Sequence, residues 1–133
     1  MWHVVIASHH QLAEGLRDTV EFVIGPRDIE VICAFMDETP VEDQVAKVFS
    51  KFGSEDDVLV LTDILAGSVN QALAPHMSGH VLMVAGVNLP LALELCASLD
   101  AITPDMVREA IAEARNQVVF VNDVVLADDE DDE

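Results

Sequence analysis

Two adjacent histidines, His9 and His10, follow a short β-rich run at the start of the chain. A free imidazole has a reference pKa of about 6.5, so near neutral pH it is mostly unprotonated and can attack a phosphorus centre. For that reaction one ring nitrogen must present its lone pair while the other keeps its proton. Asp63 follows another β-rich run and is the acid placed to hold that proton. At this point either histidine is a candidate nucleophile.

A turn of small residues lies shortly after Asp63. Ala66, Gly67 and Ser68 open a predicted helix, where backbone N–H groups and the positive end of the helix dipole can bind an anion. The Ser68 hydroxyl adds a hydrogen-bond donor, and Gly67 lets the backbone approach a ligand closely. The turn therefore predicts a binding site for a phosphoryl group.

The elements that must position these residues alternate between short β-rich runs and segments with helical periodicity. This alternation predicts an α/β fold of three layers, with helices on both faces of a sheet of about four parallel strands. The predicted strands cover residues 3–7, 29–35, 58–62 and 80–85, and a last β-run covers residues 117–126. The predicted helices cover residues 11–24, 40–52 with Thr39 as N-cap, 68–77, 88–99 and 103–116.

Active groups in parallel sheets collect at the carboxyl ends of the strands, near the point where the strand order reverses. The loops after the first, third and fourth predicted strands would meet at this edge, and they contain residues 8–10, 63–68 and 86–88. We expect a rim around His9 formed by Ser8, His10, Ile64, Leu65 and Asn88, with Leu91 as a further apolar candidate.

The charge of the chain restricts its partners. With 25 acidic and 6 basic residues, the formal net charge of −19 would repel nucleic acid and an anionic membrane surface. A partner with a basic face is favoured instead. We expect residues 1–127 to form a single domain and the wholly acidic run 128–133 to be a disordered tail.

The compartment is predicted from hydropathy and cysteine use. The longest apolar runs, such as residues 81–87, are far shorter than the roughly 20 residues of a membrane-spanning helix, and the chain does not begin with basic residues. Cys33 and Cys96 both lie in apolar stretches, which is typical of buried thiols in a reducing compartment. We therefore expect a cytoplasmic protein without a signal peptide.

The sequence disfavours three other kinds of site. A metal site at His3, His76 and His80 is disfavoured because Gly79 breaks any helix that would align the last two. A receiver-like domain phosphorylated on Asp63 would need an acidic pair after the first strand, where this chain has two histidines. A flavin-binding module is disfavoured because the chain has no Tyr and a single Trp at position 2.

Together, Ser8-His9 after the first strand, the segment from Asp63 to Ser68 after the third, and Gly86-Val87-Asn88-Leu89-Pro90 after the fourth resemble the mannose-type enzyme IIA proteins of the bacterial sugar phosphotransferase system. The resemblance covers residues 1 to about 126. It implies a phosphoryl carrier without a cofactor, which accepts the group from the phosphocarrier HPr and passes it to an enzyme IIB. It also implies a membrane permease downstream and a homodimer in which the last strand is exchanged or paired.

The resemblance assigns roles to individual positions. It places the phosphorylated histidine on His9 and not His10, and the orienting aspartate on Asp63. The family's Gly-Gly-Ser/Thr-Pro turn becomes residues 66–69, with Ala66 and Val69 replacing one glycine and the proline.

His10 stands where the family usually has a glycine, so its role stays open. A regulatory protein phosphorylated at the same histidine but without onward transfer also stays open. The transported sugar is not readable, because such a carrier contacts only proteins.

Overall fold

The computed structural model describes residues 1–125. Its centre is a four-stranded parallel sheet formed by β1 (Trp2–His9), β2 (Ile29–Ala34), β3 (Asp57–Thr62) and β4 (Val81–Val84). The strand order is β2-β1-β3-β4, so the order reverses between β1 and β3. The α/β class and the four parallel strands predicted from the sequence are confirmed.

Helices cover both faces of this sheet. One face packs against α1 (Leu12–Ile24), α4 (Leu89–Cys96) and α5 (Pro104–Arg115), and the other packs against α2 (Val41–Phe49) and α3 (Ser68–Leu73). A 3₁₀ turn, Ala74–His76, follows α3 because Pro75 has no N–H to continue the helix. Two apolar cores therefore lie on either side of the sheet, as three layers require.

The central strand β1 contributes to both cores. Val4 and Ile6 pack into the core shared with α1, α4 and α5, whereas Val5 and Ala7 pack into the other. All four side chains are buried, which explains why this strand is apolar at successive positions and does not alternate. The strand continues to His9, so Ser8 and His9 lie within β1 and not in the loop after it.

Several helix ends differ from the prediction. The N-cap of α2 is Pro40 and not Thr39, whose N–H donates instead to Asp37 Oδ1 at 2.8 Å. The helices α2, α3 and α4 end a few residues before the predicted positions. The predicted caps of the last two helices are confirmed, because Asn88 Oδ1 accepts from Leu91 N–H and Thr103 Oγ1 accepts from Met106 N–H.

The strand predicted over residues 117–126 is wrong for the single chain. Residues 118–120 have no regular structure, residues 121–125 are helical, and residue 126 lies outside the described residues. A strand needs a neighbouring strand for its backbone groups, and within residues 1–125 none pairs with this segment. Its apolar side chains are exposed, namely Val118, Val119, Phe120, Val121, Val124 and Val125.

Candidate active site

His9 and Asp63 meet where the strand order reverses. His9 is the last residue of β1, and Asp63 directly follows β3, the strand beside it. Asp63 Oδ2 lies 2.8 Å from the ring nitrogen Nδ1 of His9 and also accepts a hydrogen bond of 2.8 Å from the His9 backbone N–H. The carboxylate therefore fixes both the backbone and the ring of the same residue.

This contact determines which ring nitrogen can react. A carboxylate only accepts hydrogen bonds, so Nδ1 carries the proton in the neutral ring and Nε2 keeps its lone pair. The His9 side chain is 38% exposed, whereas the Asp63 side chain is 10% exposed. The arrangement leaves an unprotonated ring nitrogen on a partly exposed imidazole, beside a largely covered carboxylate.

The carboxyl group of Asp63 is held in its ionised form. Burial acts to raise its pKa, but hydrogen bonds from the backbone and ring of His9 and from the Ile64 N–H lower the pKa below its usual value. Oδ2 receives both bonds from His9, and Oδ1 accepts from Ile64 N–H at 3.0 Å. Asp63 therefore remains an acceptor for the ring proton near neutral pH.

The turn at residues 66–68 lies against the imidazole. A Cβ atom added to Gly67 would lie 3.3 Å from His9 Cε1 and 3.7 Å from Nε2, so a side chain here would crowd the ring. Ser68 is exposed and is the first residue of α3, whose N-cap is Gly67 and not Ser68 as predicted. The first N–H groups of a helix have no partner within that helix, and α3 begins directly after Gly67, whose backbone lies against the imidazole.

Ser8, within β1, and His10, directly after β1, support the turn that leads into α1. Ser8 is buried, and its hydroxyl oxygen accepts from Ala13 N–H at 2.7 Å while donating to the His10 carbonyl at 3.3 Å. His10 is exposed and adopts φ of 55°, and its N–H donates to the Ala34 carbonyl. Ser8 thus supports the backbone around His9, and His10 supplies a left-handed turn.

The predicted rim is present in part. Ile64 and Leu65 are 50% and 77% exposed, beside the acid that orients His9. Asn88 uses its side chain structurally, because it caps α4 and donates to the Ala114 carbonyl of α5. Leu91 is wrong as a rim residue, since it is buried in the core between the sheet, α1, α4 and α5.

Two further groups at the site were not predicted. Thr62 Oγ1 donates to Asn70 Oδ1 at 2.6 Å, and Asn70 Nδ2 donates to the Leu65 carbonyl at 2.9 Å, so this pair shapes the loop after β3. Phe35 directly follows β2, and its ring centroid lies 5.5 Å from that of His9. A threonine at the end of an apolar strand is the sequence signal for the first group, whereas Phe35 falls within the strand predicted over residues 29–35.

His3 and His80 lie away from His9, at the opposite end of the sheet. His3 contacts Asp28 and Asp56, and His80 contacts Glu55 and Asp57, all at the amino end of the sheet. Within residues 1–125, no group of three or more His, Cys, Asp or Glu side chains is arranged to hold a metal ion. The same residues contain no helix that is both long and apolar enough to span a membrane.

Comparison with solved structures gives the same fold. The chain is similar to a protein described as a phosphoenolpyruvate-dependent sugar phosphotransferase system permease from Klebsiella pneumoniae, with 32% identity, 93% of each chain covered and a TM-score of 0.86. It is also similar to the IIA protein associated with the fucose utilization operon of Streptococcus pneumoniae, with 26% identity, 93% and 96% of the chains covered and a TM-score of 0.75. The mannose/sorbose IIA subunit of Enterococcus faecalis has 19% identity, 89% and 92% coverage and a TM-score of 0.79, and it supports the fold alone.

The family comparison covers most of the chain. A family model described as the fructose IIA component of the phosphotransferase system matches residues 3–112, which include the His9–Asp63 pair and the turn at residues 66–68. The resemblance seen in the sequence is thereby confirmed. The chain belongs to the mannose-type enzyme IIA family, whose members are components of the bacterial sugar phosphotransferase system.

Proposed function

We propose that this protein is a cytoplasmic phosphoryl carrier that accepts a phosphoryl group from phospho-HPr on His9 Nε2 and passes it to an enzyme IIB. Family membership already gives a phosphotransfer role in sugar uptake. The observation that carries the finer proposal is the 2.8 Å contact between Asp63 Oδ2 and His9 Nδ1. It leaves Nε2 as the one unprotonated ring nitrogen, on a side chain that is 38% exposed.

The transfer balances without an added acid or base. The Nε2 lone pair forms a bond to phosphorus as the bond from phosphorus to the donor atom of phospho-HPr breaks, and that atom leaves with the electron pair. The phosphorylated His9 ring keeps its proton on Nδ1 and gains positive character, which the Asp63 carboxylate stabilises. Transfer to enzyme IIB repeats the same exchange with His9 as the leaving group.

The phosphoryl oxygens need hydrogen-bond donors. We assign this role to the backbone N–H groups of residues 66–68 and the Ser68 hydroxyl, because Gly67 lies against the imidazole and α3 begins directly after it. Because α3 has only six residues, local N–H groups and not a long helix dipole supply most of this binding. Ala66 is small enough to keep the turn open in place of the family's glycine.

Phosphorylation on Asp63 is the less favourable alternative. Both carboxylate oxygens of Asp63 already accept hydrogen bonds, and β1 ends in Ser8 and His9 without an acidic pair to hold a metal ion. A regulatory phosphohistidine protein shares the same first step. Transfer of label from the phosphorylated protein to its cognate enzyme IIB separates that role from a carrier role.

A phosphorylation assay tests the main proposal. Radiolabelled phosphoenolpyruvate, enzyme I and HPr should label the wild-type protein at one site, and His9→Ala should abolish the labelling. His10→Ala is the matched control and should keep most of it. Full labelling of His9→Ala would contradict the proposal.

The proposal includes a homodimer. The apolar segment 118–125 is exposed in the single chain, and β4 is at an edge of the sheet. An exposed edge strand and a β-prone apolar segment both favour pairing with a second copy. Light scattering at micromolar concentration should give twice the mass of the chain, and a monomer would contradict this part.

A further inference from the structure

We propose that Phe35 is a positioning residue for His9, whose left-handed backbone and aromatic ring hold the imidazole with Nε2 directed at the phosphoryl donor. This inference rests on the proposed function of His9. It concerns the loop between β2 and α2, which the family motifs at the other three loops do not include.

The ring of Phe35 packs against the imidazole. The two centroids are 5.5 Å apart and the ring planes are inclined by 31°, which lies within the range of attractive aromatic pairs. Asp63 fixes the imidazole only at Nδ1, so the ring could still swing about that hydrogen bond. The Gly67 backbone and the Phe35 ring contact other parts of the imidazole and restrict this rotation.

The backbone of Phe35 is in an unfavourable conformation. Its φ of 66° is rare for a bulky side chain, and such strain concentrates at functional sites. Burial does not explain the residue either, because Phe35 is 53% exposed. Neither conformational preference nor hydrophobic burial therefore accounts for a phenylalanine at this position.

The location of this strain links it to His9. Ala34, the residue before Phe35, pairs with His9 in the β1–β2 register, and the Ala34 carbonyl accepts from His10 N–H at 2.8 Å. The left-handed turn thus begins one residue after the strand position that faces His9. The turn directs the Phe35 side chain toward the His9 imidazole, and the chain leaves the line of β2 at this residue.

Two phosphoryl donors distinguish positioning from partner docking. Phosphoramidate is a small donor that needs no protein interface, whereas phospho-HPr needs one. If Phe35 positions the imidazole, Phe35→Ala and Phe35→Gly should slow labelling by both donors by the same factor, roughly two- to tenfold. Phe35→Tyr retains the ring and should restore the wild-type rate.

A stability measurement separates positioning from a structural role. Phe35→Gly should melt at a higher temperature than Phe35→Ala, because glycine adopts a positive φ without the cost that a Cβ atom imposes. The glycine variant should therefore be the more stable of the two while being as slow. Met36→Ala alters the adjacent residue, which is 45% exposed, and should leave the phosphoramidate rate unchanged.

The outcomes are separable. A wild-type phosphoramidate rate in both Phe35→Ala and Phe35→Gly would overturn the inference. This holds even if the phospho-HPr rate falls, because Phe35 would then act in docking the partner and not in positioning the imidazole. Unchanged labelling of His9→Ala would instead overturn the proposed function, whatever the Phe35 variants do. If Phe35→Ala does not fold, Phe35→Gly and Phe35→Tyr still decide between the two results.

Discussion

The oxygen Oδ2 of Asp63 accepts two hydrogen bonds of 2.8 Å from a single residue, one from the backbone N–H of His9 and one from its Nδ1. The first bond ties the end of β1 to the loop after β3, and the second sets the ring. Ring orientation is therefore coupled to the pairing of the two central strands. Because the order of the sheet reverses between them, this is also where the loops diverge and leave Nε2 accessible.

Asp63→Asn should slow phosphoryl transfer by roughly 10²-fold or more, because the amide removes the negative charge that supports the phosphorylated ring and weakens the tautomer preference. Circular dichroism should show an unchanged fold. Initial labelling rates with phospho-HPr give the effect. Asp37→Asn removes the same charge from an exposed position in the β2–α2 loop and should retain the wild-type rate, and a wild-type rate in Asp63→Asn would exclude Asp63 from the mechanism.

His10→Gly should stabilise the fold by about 0.5–1 kcal/mol, because φ at this position is 55° and an L-residue is disfavoured there. Glycine is also the residue that the family usually has after its phosphorylated histidine. Thermal unfolding measures the change. His10→Ala keeps the conformational cost and should show no such gain, while labelling of His9 should persist in both variants. A lower melting temperature for His10→Gly would show that the imidazole of His10 stabilises the fold.

The predictable part of this site depended on strand ends. Apolar runs located β1 and β3, so the residues that follow them could be placed at one edge, and the His9-His10 pair, Asp63 and the turn at residues 66–68 were predicted in this way. The choice of His9 over His10 came from the family resemblance. Phe35 was missed because a phenylalanine after an apolar strand is usual for a strand residue, and residue type does not reveal a positive φ. Asn70 was missed because its partner, Thr62, lies eight residues earlier across a loop.

The errors have a common cause in missing three-dimensional context. The apolar segment after α5 has a high β-propensity, but a strand forms only where another strand can pair with it. Leu91 was placed at the rim because it is near the motif in sequence. The Asn88 cap instead fixes the start of α4, and the resulting phase of the helix turns Leu91 into the core.

Asp56→Asn should weaken the fold near neutral pH and have little effect in strong acid. Hydrogen bonds from the Gly53 N–H and then from His3 lower the pKa of Asp56 to about 2. The pKa of Asp56 is about 3.9 in the unfolded chain, so its ionised carboxylate stabilises the folded protein at pH values above about 3.9. This contribution is lost as the pH falls through about 2.

Urea unfolding at pH 6, 4 and 2.5 measures this dependence. The difference between wild type and Asp56→Asn should be largest at pH 6 and shrink at the lowest pH. Asp18→Asn alters an exposed acid on α1 and should show no comparable trend. A difference that is constant with pH would mean that the Asp56 contacts do not depend on its charge.

Leu65→Asp should weaken docking of phospho-HPr roughly tenfold while changing the free energy of unfolding by no more than about 0.5 kcal/mol. Leu65 is 77% exposed next to the site, so its side chain contributes little to the fold and is available to a partner. The KM for phospho-HPr and the urea midpoint measure the two effects.

Leu99→Asp is the matched control for this substitution. Leu99 is 80% exposed and lies near Trp2 and Arg27, toward the other end of the sheet, so the same change there should leave docking intact. An equal loss of docking in Leu99→Asp would exclude Leu65 as a specific contact.

The formal charge of −19 should attract a basic face on the partner. Added salt should then slow association more than it alters dissociation. Association rates with phospho-HPr that do not depend on salt would exclude electrostatic steering.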